Sequence, residues 1–589
     1  MTTAIGAIAP VIKREGADLD PDVLAKLVHL RVERSAGLAG RATLRFVDDG
    51  YTLSAGDVFG LGKKIDIKVP DGATLLAGTV TGINLEQSTR GAPELVVVVD
   101  DAGYKLARGT QVATYLNGSY DDVVRKIAGR HGMRADVKAT GVTSEYVLQA
   151  GTDLAFLDMI TERLGYVWFV DDGPTLVVKP FSVGSPAATL TLGENLQQFS
   201  VRASGLRPTE VKVHGWNPDA QDDLVDQNRS PSTSAVPELV RAYSGNGPTS
   251  SLTAASTAVA DARPLTNAEA KTLASAYYDE WSAAAVVARG TADISGALKP
   301  GATVQVKDAG PASGKYVVTS VEHIYDSTGF TTRFVSGPRR PSGLVDTLGA
   351  PAPDPGFAVS GLIIAIVTDC TDPDSAGRVK VRYTGVGNTV ESPWARVVTL
   401  GAGPARGAVF SPEVNDEVLV GFEHGDTRRP VVLGGLYSKK NTLPTGEKFV
   451  AGGNVKYRRI TSRKNHIVEL ADGDDPATQH LLLQLGTAQH KLRLGADRFD
   501  IEVAQGKPIT IKAGEAKFDI SASGDVTIEG TNISIKAKAN LTLEGVKTTT
   551  KGTGQAIVQG AQVQVKADAM GSVEAGGPLT LKGAVVAIN

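Results

Sequence analysis

The sequence predicts a mainly β protein with minor α content, and three features carry that expectation. Glycine is abundant, 66 of 589 residues, while aromatic residues make up only 5%, a balance that suits tight turns and slender cores. Short apolar–polar alternations recur along the chain, closed by turns rich in Gly, Pro or Asp. From about Asp472 onward, pairs of apolar residues two apart repeat with short polar gaps between them, the mark of stacked short strands.

A chain of this length exceeds a single core, and roughly three to four domains are expected. Lys+Arg number 61 against Asp+Glu 64, a net charge of -3, so no basic field points to nucleic acid. Cys370 is the only cysteine. No intrachain disulfide can form, which is compatible with folding in a reducing cytoplasm. Met1 to Pro10 lacks a basic segment followed by an apolar core, so the chain is expected to be made in the cytoplasm without a signal peptide. The longest apolar runs, Gly361 to Val367 and Leu95 to Val99, fall far short of the ~20 residues that span a bilayer.

The first region is read as residues 1–338. Val28, Leu30 and Val32 alternate with polar neighbours, a Gly-rich turn follows (Gly37 to Gly40), and Leu44 and Phe46 resume the alternation. Ile65, Ile67 and Val69 form another strand, closed by Pro70-Asp-Gly72. Two short helices are expected next. One runs from Asp121 to a stop at Gly129 with Ser119 as N-cap. The other opens at Thr152-Asp153, sets Leu154, Leu157, Ile160 and Leu164 on one core-facing stripe, and stops at Gly165. Gln227 to Ala260, rich in Ser, Thr, Ala and Pro, reads as a long surface loop. Thr266-Asn-Ala-Glu269 is a capping box, and its Ala-rich helix is expected to run to Ala288 and end at Gly290. Strands resume at Val304, Val306, Val317 and Val321.

Repeated proline between 339 and 357 defines a stiff linker, and the main domain boundary is expected there. Residues 358–438 carry several short strands at regular spacing, the pattern of a small barrel; Arg378 to Arg382 and Glu417 to Phe422 show the alternation. A neck (439–471) and a strand array (472–589) follow. The array's apolar pairs include Phe518/Ile520, Val526/Ile528, Ile533/Ile535, Leu541/Leu543, Val563/Val565, Leu579/Leu581 and Val586/Ile588. No unit can shield its pair alone, so the strands must stack into a β-helix or prism. Period alone leaves open whether one chain coils around itself or three chains wrap each other.

Motifs for chemistry are weak. Gly310-Pro-Ala-Ser-Gly314-Lys315 has three residues between glycines where a phosphate loop needs four, and Tyr316 where Ser or Thr should stand. A turn before a strand explains it. Gly60-Leu-Gly62-Lys-Lys64 is an incomplete dinucleotide fingerprint, read as a loop. Asp369, Asp372 and Asp374 lack the spacing of a calcium loop and read as a polar connection. The histidines form no HExxH pair, Cys370 has no companion for zinc, and His424 is expected in a buried or turn-stabilising role. No G-x-S-x-G elbow occurs. No catalytic, cofactor-binding or metal residue is therefore expected, and no cofactor.

In the third region the residues become specific. Asp372-Pro373, Gly377-Arg378-Val379-Lys380-Val381 and Ser392-Pro-Trp394-Ala-Arg396 resemble the OB-fold barrel of VgrG and phage baseplate spikes. The resemblance continues through Phe410-Ser-Pro412 and Asn415-Asp416-Glu417-Val418 to Gly425-Asp426, and through Arg429-Pro430 to Leu436-Tyr437. Members usually carry glycine where Asn415 stands, and asparagine tolerates the left-handed turn. The first region is similar to the phage tail hub (late control protein D) family through Gly78-Thr-Val80, Leu95 to Asp100, Leu106-Ala-Arg108-Gly109, Thr152 to Leu157, Leu164-Gly165-Tyr166 and Pro300-Gly301. Tyr457 to His466 and the array resemble the neck and β-prism of the same spikes.

That resemblance implies β-barrel hub domains, an OB-fold barrel and a C-terminal intertwined triple-stranded β-helix. It implies a non-enzymatic homotrimer whose partners are a hexameric inner-tube protein, baseplate proteins, a PAAR-like tip protein and, transiently, a target membrane, with no nucleic acid. Ile533, Ile535, Leu541 and Leu543 are the expected trimer-axis packing residues, and Val586, Ile588 and Asn589 the expected tip contact. The interval between barrel and array is too short for an inserted lysozyme domain. The expected role is the central spike of a phage tail-like particle released outside the cell. Alternatives are the spike of a cell-bound type VI secretion system, a β-helical carbohydrate-active enzyme, or a passive fibre or adhesin. Scarce aromatics after Phe518 count against the enzyme, and the hub-like first region counts against the fibre.

Overall fold

The computed structural model describes residues 9–588 apart from 57, 90, 172, 205–207, 218–220, 231–254, 261–265, 339–360, 386–389 and 445–448. The chain divides into two compact units, Met1–Thr442 and Leu443–Asn589. It is mainly β, and among the described residues three helices reach eleven residues or more: Tyr120–Arg130, Asp153–Leu164 and Asn267–Ala285.

An eleven-stranded antiparallel sheet organises the first unit. From one edge its strands are Leu196–Ala203, Val286–Ala292, Gly329–Ser336, Ser320–Asp326, Leu27–Ser35, Arg41–Val47, Glu94–Asp100, Thr74–Glu86, Lys64–Lys68, Val11–Arg14 and Ala17–Asp18. Two separate cores lie along it. Leu30, Val32, Leu44, Phe46, Ile65, Ile67 and Val97 belong to one, and Ala288, Val304, Val306, Tyr316, Val321 and Phe334 to the other. A single pairing, Ser320–Asp326 against Leu27–Ser35, stitches the halves together. Close approach elsewhere in the sheet demands glycine at position 78, where a Cβ would meet the Asp100 carbonyl oxygen at 2.4 Å.

Alternation places most side chains as expected, with one exception. A register shift between Leu27 and His29 turns Val28 outward, 41% exposed, and buries Leu27 in its place. A β-bulge reverses side-chain parity locally, which simple alternation does not anticipate.

Both short helices form where the caps place them. The Ser119 hydroxyl accepts from the Asp122 amide and the Thr152 hydroxyl from the Ala155 amide, while Gly165 closes the second helix in the left-handed conformation. Leu157, Ile160 and Leu164 are buried with Trp168 in a third core, and Leu154 packs at its margin. Thr266 caps the Asn267 helix by accepting from Glu269 N–H, but that helix stops at Ala285. Val286–Ala292 is a sheet strand instead, because β-branched Val286 and Val287 end the Ala-rich run. The stretch read as a loop from Gln227 to Ala260 also contains strand: Asp222–Asn228 and Ser256–Ala260 both pair with Glu210–Asn217. Its centre lies outside the described residues, as does the Pro-rich linker.

The barrel sheet runs Lys380–Tyr383, Ile363–Asp369, Glu417–Phe422, Pro430–Gly435, Arg396–Val397. Asn415 takes φ 76°, the left-handed value expected of it, and donates to the Val367 carbonyl. Asp372 and Asp374 both bind the Arg378 side chain, so the acidic loop is a folded turn. His424 is exposed at a turn with φ 51°. Gly310–Ala312 is a short turn before the Gly314–Val317 strand.

In the second unit Tyr457–Thr461, Ile467–Ala471, His480–Leu485, His490–Gly495 and Phe499–Glu502 form an antiparallel meander. It runs across position 472, where the array was expected to begin. Ile509–Ala513, Ala516–Ile520 and Val526–Glu529 make a second, three-stranded sheet. Beyond it no helix or strand forms among the described residues, and the chain bends at 531–532, 538–539, 546–547, 553–554, 561–562, 568–569, 576–577 and 584.

His323 sits on the strand that joins the two halves of the large sheet. It is 2% exposed, 3.0 Å from the Thr332 hydroxyl. Burial, reinforced by the neighbouring Arg34 cation and opposed by a backbone hydrogen bond, pushes its pKa down to about 3. A depressed histidine adds stability that is complete above its unfolded value of about 6.5 and drains away as pH falls towards the folded value. His323→Gln is expected to flatten the pH dependence of stability between pH 6.5 and 4, measured by urea titration. An unchanged slope would contradict this role.

Candidate functional site

Two features of the described residues go beyond ordinary core packing: a buried joint between hub and barrel, and an apolar face on the second unit.

The joint begins with the hub strand Thr143–Thr152. Its alternation sends Tyr146 and Leu148 into the core of the barrel, beside Ala365, Val367, Val381, Tyr383 and Val418. Burial raises the Tyr146 hydroxyl's pKa well above the usual range. The barrel answers with the turn after Phe422. There the Arg428 side chain is 2% exposed and lies 2.9 Å from Asp426 and 3.2 Å from Glu269 of the hub helix. Arg163, from the Asp153–Leu164 helix, stands 3.9 Å from the same Glu269. Arg429 donates to the Trp216 carbonyl at 2.6 Å. Burial, the largest single effect, works against an ionised Asp426, but the Arg428 charge, its hydrogen bonds and the Arg163 charge together outweigh it and the net pKa is lowered. The cluster works because each buried charge has an opposite neighbour; an unpaired one would neutralise instead.

Few contacts were expected to cross the proline linker. The joint shows otherwise, since a cut at Pro341 would strip the cover from Tyr146, Leu148 and Glu269. Glu269 was legible only as a capping-box residue. Nothing local in the sequence ties it to Arg428, 159 positions away.

On the second unit the meander's two faces differ sharply. Ile460, Val468, Leu483, Leu492 and Ile501 lie opposite one another in one row across all five strands, and Leu470, Leu481, Leu494 and Phe499 form a second. All nine are between 38% and 57% exposed. The other face carries a buried ionic cluster: Glu469, 3% exposed, is bound by Arg459 and by His480 at 3.1 Å. The expected axis residues Ile533, Ile535, Leu541 and Leu543 are 52%, 65%, 57% and 70% exposed, and Val586 and Ile588 are 50% and 83% exposed. Asn589 lies outside the described residues. No strand pairing involves 531–588 among the described residues.

Over its small barrel, and over part of the rest, the chain is similar to VgrG and phage-baseplate spikes. Residues 363–437 match the type VI secretion system/phage-baseplate injector OB domain. Residues 7–326, more than half of the chain, match the Alg8 N-terminal domain, and the chain belongs to that family. Among curated proteins it is similar to a type VI secretion system spike protein, VgrG5, of Pseudomonas aeruginosa, with 31% identity over 173 residues, 26% of this chain and 21% of that protein. A Vibrio cholerae spike protein, VgrG3, is 40% identical over 76 residues, 12% of this chain and 7% of that protein. The matched stretches thus span only 21% and 7% of these two relatives' lengths. Among solved structures, an Escherichia coli component of the type VI secretion system is 17% identical, with TM-score 0.47, covering 72% of this chain and 99% of that one. A 43 kDa prophage tail protein from Shewanella oneidensis is 13% identical, with TM-score 0.43, covering 56% and 98%.

Arg428→Met leaves Asp426 and Glu269 facing each other without their shared cation. It is expected to cost about 3–5 kcal/mol in urea denaturation, the scale of breaking a buried ion pair from one side. A loss below about 1 kcal/mol, the scale of an exposed pair, would contradict a buried ionic joint.

Proposed function

We propose that the chain is one protomer of a trimeric, non-enzymatic spike in a contractile injection particle, capping the inner tube and puncturing a target envelope. The observation that carries this reading is the stretch 531–588, whose apolar residues face solvent and whose backbone lacks strand partners among the described residues. Exposed strand edges with an apolar face are an aggregation hazard unless paired or covered. Two further copies supply both remedies at once: closure removes the edges, and a threefold axis buries one face from each chain. A β-helical enzyme would instead coil one chain on itself, with each strand pairing to the next turn of the same chain.

Ile533, Ile535, Leu541 and Leu543 take the axial positions in this reading. Val586 and Ile588, with Asn589, offer the surface for a PAAR-like tip protein through apolar burial and strand-edge hydrogen bonds. The hub docks a hexameric inner tube. The curated relatives are named as spikes of type VI secretion systems, which favours a cell-bound system as the second reading over a released particle.

Ile533→Asp with Ile535→Asp would place unpaired carboxylates at the axis, at a cost of several kcal/mol per site even after relaxation. The double variant is expected to lose the heat-resistant trimer in gel electrophoresis. Its persistence would remove these residues from the axis. For the tip, a chain ending at Lys582 is expected to lose capture of its PAAR-like partner in a pull-down; capture equal to full length would place the tip contact elsewhere.

A further inference from the structure

Beyond Glu529 the chain holds a fixed phase between its bends and its side chains. Counting back five and three residues from each bend gives two side chains two residues apart, the spacing that shares one face of a strand, a rung. Before the bend at 546–547 these are Leu541 and Leu543; before 561–562 they are Ala556 and Val558. The rung between them, before 553–554, is Thr548 and Thr550. Every other rung in the stretch carries at least one branched apolar side chain. The bends fall seven or eight residues apart throughout, so successive rungs are nearly equivalent in geometry.

Near-equivalence creates a difficulty for chains that wrap one another. One copy displaced by a single rung still sets apolar pairs against apolar pairs, and burial alone discriminates poorly between registers. We infer that Thr548 and Thr550 form a polar rung that fixes the register of three copies of this chain. This inference rests on the trimer reading.

In register, the hydroxyls of the three copies meet at one level, where each can donate to one neighbour and accept from another. Displaced by one rung, they face Leu541 and Leu543 or Ala556 and Val558 and lose those partners. A buried hydroxyl without a partner is penalised far more than the methyl of a valine in the same place. The rung therefore gives up some apolar burial and separates the correct alignment from its neighbours. A single polar layer in a coiled-coil seam sets register by the same physics. Thr549, between the two, points to the opposite face by strand alternation and takes no part.

The test uses the full-length chain in two isotopic forms, mixed, denatured, refolded and cross-linked through lysine. Lys547 and Lys551 bracket the rung, with Lys536, Lys538 and Lys566 above and below. Wild type is expected to give one set of links between copies. T548V/T550V is expected to remain trimeric while the share of that native set falls several-fold and links displaced by one rung appear. T548S/T550S, which keeps the hydroxyls, and T549V, on the outer face, are expected to match wild type. A trimeric valine variant with unchanged links would overturn the inference alone. Loss of all trimer in that variant would also overturn it, by making the hydroxyls necessary for assembly rather than alignment. A monomeric wild type would sink the trimer reading itself.

Discussion

Every segment from 531 to 588 presents backbone N–H and C=O groups that no other described strand of the chain meets. Water satisfies those groups while the segment stays exposed. Burying the apolar side chains beside them requires that strands from elsewhere take water's place. Apolar burial and hydrogen-bond satisfaction thus pull in the same direction, and neither is met for this stretch by the other described strands of the chain. The five-stranded meander obeys the same constraint in milder form, since its backbone is paired internally while two apolar rows stay open on one face.

The first unit solves the opposite problem. Its cores are complete within one chain, and what needs explanation is how hub and barrel hold together across a long sequence separation. Tyr146 and Leu148 enter the barrel's own core, and Arg428 meets Glu269 where water is excluded. A buried charge cluster of this kind is weak evidence for extra stability, but it punishes misalignment strongly because each displaced charge is left alone. Such a joint suits a part that must carry load without shifting.

Much of this was legible in the residues. Caps at Ser119, Thr152 and Thr266 announced three helices, Asn415 announced a left-handed turn, and the apolar pairs Phe518/Ile520 and Val526/Ile528 fall in paired strands as their spacing suggests. The misses have physical causes. Val28 lies at a bulge, where parity flips without any local signature. The strand at Val286 follows an Ala-rich helix with no Gly or Pro between them, so no strong stop marks the boundary. Linker composition suggested separate domains, yet packing across the joint depends on residues far apart in sequence. The apolar pairs of the last stretch could be read as a pattern but not as a partnership, because a period of seven or eight residues fits self-coiling and threefold wrapping alike.

Association is the central claim, and the mass of the purified full-length chain in solution tests it most directly. Multi-angle light scattering should return three times the 61.3 kDa of one chain, unchanged on dilution through the micromolar range. A mass of one chain, with the strand array still folded by circular dichroism, would contradict threefold closure and leave self-coiling as the surviving arrangement.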